Sequence, residues 1–331
     1  MSEEEPIPFP HRLLSRWGTW MRIAITGTIL AFLAFKVNWI HLGQRFASTQ
    51  PYWLATALLT TLVSITLCGT RFWLLLRLQK IHLSWSRALR LTFVGGFYNL
   101  FLIGSTGGDA IRIFYLIRWF PEQKARSTLA VLLDRVFGVA ALLGLGLLFL
   151  YNATDRLLAD ATLAPIAKAL PWIGPASGMI ILMAFAISRV LPKLPLPSKF
   201  PGRSIILELI HSISNITQGG WTTIWLIPIS AAVHLASFGG ATFLAYSLGL
   251  PVTYSLAGLM LVLIFTASAL PISISGHGVR EGITVYLFLH LGISSDPETA
   301  IAYSLLLYGL GLFWSLFGGL AGITLKSPHK K

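Results

Sequence analysis

Apolar residues run along this chain in long blocks instead of the three-to-four spacing of a one-faced soluble helix. Six blocks approach or exceed the ~20 residues that a helix needs to cross a bilayer. They lie at about 22–42, 51–76, 128–151, 172–191, 222–248 and 298–325. Two further apolar regions, 88–119 and 253–292, do not fit simple spans. Each holds an apolar run, a glycine-rich break carrying charges, and a shorter apolar piece. The breaks read Ile103-Gly-Ser-Thr-Gly-Gly-Asp-Ala-Ile-Arg112 and Leu270-Pro-Ile-Ser-Ile-Ser-Gly-His-Gly-Val-Arg-Glu-Gly282. That pattern predicts two half-helices joined by a loop, a re-entrant hairpin that enters and leaves on one side.

The distribution of Lys and Arg supports this reading. With both regions re-entrant, Arg77, Lys80, Arg87, Arg90, Arg112, Arg118, Lys124 and Arg126 fall on one side, together with Arg189, Lys193, Lys199, Arg203 and the basic residues near both termini. The other side keeps only Lys36, Arg45, Arg156, Lys168 and Arg280. The positive-inside rule then places both termini in the cytoplasm. The stretch before the first block, with Arg12, Arg16 and Arg22 and no small-residue cleavage site after it, reads as a signal-anchor.

Displacing 51–76, 88–119 and 128–151 by 168 positions gives 219–244, 256–287 and 296–319, close to the later blocks. Gly108 then falls on Gly276 and Arg112 on Arg280. The expectation is an all-α polytopic membrane protein, about six transmembrane helices plus two re-entrant helical hairpins. Its halves, 20–151 and 172–325, form an inverted repeat within one integral membrane domain, 1–331. Residues 203–218 carry isoleucines and leucines on one helical face and Arg203, Glu208, Ser212 and Asn215 on the other, which predicts an interfacial helix.

Composition agrees. Hydrophobic residues make up 55% of the 331, and charged residues only 11%, against about 25% charged in a soluble domain. Mean hydropathy is +0.72. The net charge of +13 is spread over short loops, so it reads as cytoplasmic loop bias and not as a nucleic-acid face. Cys68 is the only cysteine, which excludes an internal disulfide and a zinc cluster. Tryptophans gather near the ends of the blocks, as in an aromatic belt.

Four acids lie in or beside the predicted membrane segments: Asp109, Asp134, Glu208 and Glu281. Charges there are costly and mark functional sites. Asp109 and Arg112 stand at i, i+3 and can pair on a helix. Gly107 and Gly108 permit a sharp turn, and a helix starting after it would aim its N-terminal amides at the tip, an anion site. Arg280, after Gly276 and Gly278, repeats the arrangement. Arg112 and Arg280 are either the phosphate ligands of a passing lipid or the counter-ions of Asp109, Asp134 and Glu281, pinning the hairpins. His277 is a further donor at the second tip. Asp134 and Arg135 read as structural partners, and His234, Asn99 and Tyr98 as polar groups bonding neighbouring helices. No hydrolase elbow, P-loop or metal-ligand set is present, so no cofactor and no metal is expected, and the chain does not read as an enzyme. Asp109 and Glu281 are the candidates for proton coupling. Asp109 with Asp134 is the one acid/base pair an enzyme could use.

Gly107-Gly-Asp-Ala-Ile-Arg112, Leu133-Asp-Arg-Val-Phe-Gly138, Leu270-Pro-Ile-Ser and Gly278-Val-Arg-Glu-Gly282 resemble, in order and spacing, the lysylphosphatidylglycerol synthase transmembrane, or flippase-like, family. The resemblance spans nearly the whole chain, which lacks the aminoacyltransferase domain that some members carry. It departs from the family pattern at Ile103, Ile274, Ser275 and His277. The resemblance implies movement of an anionic or polyisoprenoid-type lipid between leaflets of a prokaryotic inner membrane. The substrate-binding residues would be Arg112, Arg280, Asp109, Glu281, Gly108, Gly276, Gly278 and His277. Partners would be membrane lipids, with a second copy or a transferase as protein partner. The alternatives are an enzyme subunit acting on a lipid-linked substrate and an anchor for a soluble transferase.

Overall fold

The structure, a computed structural model, describes residues 38–101, 107–165, 218–269 and 277–325, with 28, 168, 172 and 214–216. Expectations for Gly276, for most of 22–42 and 172–191, and for nearly all of the interfacial helix 203–218 lie outside the described residues. Within them the chain is helical: α1 Trp39–Ala47, α2 Pro51–Leu78, α3 Trp85–Phe101, α4 Gly107–Trp119, α5 Lys124–Asn152, α6 Thr154–Ala159, α7 Trp221–Ser247, α8 Tyr254–Ala269, α9 Val279–His290 and α10 Pro297–Thr324.

Four elements are long and apolar enough to cross a membrane: α2, α5 with the turn before it, α7 and α10. Their starts follow local chemistry. Pro51 and Pro297 occupy first-turn positions, where a missing N–H costs nothing. Asp296 caps α10 by accepting from the Glu298 amide. Asn38 likewise caps α1 through the amides of Ile40 and His41. This corrects the predicted span to residue 42: a capped helix begins at Trp39 and continues to Ala47.

The two broken regions each form a pair of shorter helices, α3 with α4 and α8 with α9. At ~1.5 Å per residue these are about 18–26 Å long, short of the ~30 Å hydrocarbon thickness. Leu116 and Trp119 at the end of α4 pack with Ile81, Leu83 and Ala88 at the start of α3. Both outer ends of this hairpin therefore lie where α2 ends and α5 begins, beside Arg77, Lys80, Arg87, Arg90, Arg118, Lys124 and Arg126. The second hairpin opens at the opposite end, where Leu250, Val252, Leu287 and Ile293 pack with Phe149 and Ala153.

Helix α7 runs antiparallel to α2 along its whole length. Gln50 N donates to Ser247 O (2.8 Å), Ser64 Oγ to Val233 O (2.9 Å), and Leu78 packs on Leu226. Six further packings come in matched pairs: α3 on α10 and α8 on α5, α2 on α3 and α7 on α8, α4 on α5 and α9 on α10. Small residues set the closest approaches. A Cβ on Gly318 of α10 would stand 2.0 Å from Phe93 O of α3.

Polarity is distributed inside out. Leu59, Val63, Leu132, Val136, Ile227 and Ile323 are exposed, whereas Arg71, Arg112, Asp134, Arg280 and Glu281 are buried. Hydrocarbon accepts such a surface, and in water it would be an extensive apolar patch.

Candidate functional site

The first hairpin closes tightly. Gly108 N donates to Asn99 Oδ1 at 2.7 Å, and a Cβ on Gly108 would stand 2.1 Å from Gly95 O. A glycine is required there because the α4 backbone touches that of α3. This contact lays Arg112 of α4 across Gly95, so that its guanidinium reaches inward to α5 and α2. Asp134 of α5 accepts from Arg112 Nη1 (3.2 Å) and from Arg71 Nε of α2 (2.7 Å). Asp109 stands 3.9 Å from Arg112 and pairs with Arg135 Nε at 2.5 Å. Arg112 also lies over the Phe72 ring, 5.1 Å from its centroid.

The result is an alternating chain, Arg71–Asp134–Arg112–Asp109–Arg135, tying α2, α4 and α5 together. Arg71 and Arg112 are enclosed with Asp134 and Asp109, while Arg135, its side chain 45% exposed, closes the chain at its open end. Two buried donors in it, Arg71 Nη1 and Arg112 Nε, have no hydrogen-bond partner. Buried polar atoms without partners are rare enough to point to a function.

The second hairpin is built differently. Gly278, with φ of +82°, precedes α9, and Glu281 reaches back to accept from Gly278 N at 2.6 Å. The other Glu281 oxygen takes Arg280, whose Nε also donates to Ser304 Oγ of α10 (3.2 Å). The Arg280 guanidinium lies 4.6 Å from the Tyr308 ring centroid, and the His277 ring packs edge-on against the same tyrosine. This cluster is charge-balanced. Arg280 lines a cavity of about 270 Å³ with Thr61, Ser237, Tyr308, Ser315 and apolar groups.

The residue model of the lysylphosphatidylglycerol synthase TM region matches residues 19–318, which takes in both clusters. The chain belongs to that family. No curated protein matches it. Membership makes it a membrane protein of lipid-related character, in keeping with the four long apolar helices.

Within this family frame, the sequence-predicted residues sort clearly. Asp109, Arg112, Asp134, Arg135 and Gly108 meet in one cluster; Arg280, Glu281, Gly278 and His277 meet in the other. No hydrogen bond or salt bridge joins Arg112 to Arg280 among the described residues. Two expectations change. The tip amides of Gly108 and Gly278 do not point outward for an anion, because Asn99 and Glu281 accept from them. Arg71, which holds Asp134, was overlooked; a lone charge in the apolar run 51–76 was its signal. His234 bonds to Gly138 O across helices at 2.9 Å, as expected of a polar residue in such a segment.

Proposed function

We propose that this protein moves an anionic or polyisoprenoid-type lipid between the leaflets of a prokaryotic inner membrane. It would do so as a multi-pass protein with cytoplasmic termini. The observation that carries the reading is the pair of buried guanidinium donors, Arg71 Nη1 and Arg112 Nε, left unpartnered within the chain of ion pairs. A buried donor without an acceptor costs about 1–3 kcal/mol, and more on a charged group. A phosphate can accept from both donors, and arginine suits it through bidentate hydrogen bonds.

The second support is the Arg280 cavity, which combines one cation and several hydroxyls with an apolar wall. A headgroup fits the polar groups while acyl chains remain in lipid. On this reading the hairpins are re-entrant and open to opposite leaflets, and the halves form an inverted repeat. The antiparallel α2 and α7, which correspond under the 168-residue displacement, favour it. The basic rim at one end fits a cytoplasmic face, and Asp109 and Glu281 are the groups available for proton coupling.

The test is headgroup movement between leaflets in proteoliposomes, using anionic, zwitterionic and lipid-linked sugar headgroups with and without a proton gradient. Movement selective for anionic headgroups and abolished by Arg112→Ala/Arg280→Ala is the expected result. Folded protein that moves none of them overturns the reading and favours an accessory role beside a transferase.

A further inference from the structure

The two arginine clusters are separate, yet a line of polar groups runs between them along the contact of α2 with α7. On α2, Thr61, Ser64, Cys68 and Arg71 recur every three or four residues and therefore share a face. Thr61 lines the Arg280 cavity together with Ser237 of α7. One turn further, the Ser64 and Ser237 hydroxyls stand 2.8 Å apart, and both bond to Val233 O at 2.9 and 3.0 Å. Beyond that pair come Cys68, whose Sγ is 3.7 Å from Arg71 Nη2, and His234, bonded to Gly138 O. The Arg71 guanidinium lies against the same Gly138, since a Cβ there would be 3.4 Å from both Nη atoms. Arg71 is only 4% exposed, and its Nη1 has no partner.

A row of hydroxyls could be mere interhelical bonding. The unpartnered Arg71 donor at one end and the arginine-lined cavity at the other argue for more. We propose that the α2–α7 seam is the path of a phosphate mono- or diester group, with the Arg280 cavity and the Arg71 guanidinium as its two stations and the Ser64–Ser237 pair as the gate between them. This rests on the reading under Proposed function and adds the route. From Thr61 to Arg71 the path advances about 15 Å along α2, half the hydrocarbon thickness. The gate hydroxyls need only rotate away from Val233 O to offer their donors to the passing oxygens. The Ser64–Val233 contact lies near the middle of both helices, where the matched packings of the two halves meet.

The single native cysteine stands beyond the gate as a reporter. The full-length protein in liposomes is treated with a membrane-impermeant sulfonated thiosulfonate, and Cys68 labelling is followed by mass spectrometry, with Cys68→Ser as the blank. The rate is measured alone, with short-chain phosphatidylglycerol, and with inorganic phosphate. We expect labelling of folded protein, slowed about fivefold when the lipid is at four times its dissociation constant. Protection by the lipid alone identifies a lipid headgroup, and protection by phosphate as well identifies a small-anion station. Labelling that neither slows, or a Cys68 that reacts only after denaturation, overturns the proposal. So does labelled protein that still moves lipid at the parent rate. Unlabelled protein that moves no lipid defeats the transport reading instead, while the protection data still decide whether an anion occupies the seam. Every arm except the Cys68→Ser blank uses the parent chain, so misfolding of a variant cannot imitate protection.

Discussion

Asp134→Asn is the sharpest probe of the first cluster. The carboxylate accepts two charge-assisted hydrogen bonds, from Arg71 at 2.7 Å and Arg112 at 3.2 Å, and is itself 3% exposed. Asparagine keeps one acceptor oxygen and turns an NH2 group toward a guanidinium. One of the two bonds is lost, the other keeps its charged donor but gains a neutral acceptor, and the buried Arg71 and Arg112 are left with the carboxylate of Asp109 alone. Hydrogen bonds to charged groups contribute about 1.5–3 kcal/mol each, and stripping a buried ion of its partner costs roughly 3–5. We therefore expect a loss of about 3–5 kcal/mol. A chain of 331 residues unfolds with an entropy of about 0.7 kcal/mol per degree on the globular per-residue scale, so the midpoint falls by about 4–7 °C. The assay is thermal unfolding in detergent micelles by far-ultraviolet circular dichroism. The double variant Arg71→Met/Asp134→Asn should recover part of the loss, with a coupling of roughly 1.5–3 kcal/mol. An Asp134→Asn midpoint within a degree of the parent, or no coupling to Arg71, would refute the claim that this network holds α2, α4 and α5 together.

Gly108→Ala should cost more than about 2 kcal/mol and open the first hairpin, because the added methyl meets Gly95 O at 2.1 Å. Gly282→Ala, where the Cβ meets nothing within 4 Å, should leave the midpoint unchanged or slightly raised; parallel thermal scans compare them. Glu281→Gln keeps one acceptor oxygen for Gly278 N and two Arg280 nitrogens, so α9 should lose about 1–3 kcal/mol of stability. The same change unbalances Arg280, so titration should show tighter binding of short-chain phosphatidylglycerol. Outside the membrane segments, burial opposes ionisation of Asp296, but hydrogen bonds with Glu298, Thr299 and Arg45 outweigh it and hold the carboxyl at about 2. A depressed carboxyl contributes stability that is complete above its unfolded value of 3.8 and is lost as pH falls toward 2. Acid unfolding of Asp296→Asn should therefore lack a component of at most about 2 kcal/mol that the parent loses between those values.

The hydropathy pattern foretold the helical class, the four long helices and the two breaks, because burial in lipid demands long apolar runs and penalises each interruption. Asp109 with Arg112 was legible from i, i+3 spacing alone. The bonds from Asp134 to Arg71 and Arg112 were not, since they join residues 63 and 22 positions apart and depend on how α2, α4 and α5 pack. Arg71 itself was visible as a charge in an apolar run, yet it has no glycine break around it to draw notice. The start of α1 was hidden for another reason: Asn38 interrupts the block at 22–42 by capping a new helix, and hydropathy averages over such a residue. The roles of Gly95 and Gly108 follow from backbone contact between elements, which composition does not encode.

The two clusters lie in the two broken regions, yet their hydrogen bonding differs. Arg280 donates to Glu281 and to Ser304, whereas Arg71 Nη1 and Arg112 Nε are buried without partners. On the proposed reading this difference has a purpose that symmetry would defeat. Two buried arginines with no carboxylates would hold a phosphate so tightly that release would limit any movement, since charge pairs strengthen sharply in a low dielectric. The two aspartates lower that affinity while leaving two unpartnered donors to draw an anion off the Arg280 pair. The unequal stations by themselves cannot bias the equilibrium between leaflets, because a binding site along a route serves both directions alike. They set which station is occupied at rest, and that is the one at Arg71, nearest the basic end of the molecule.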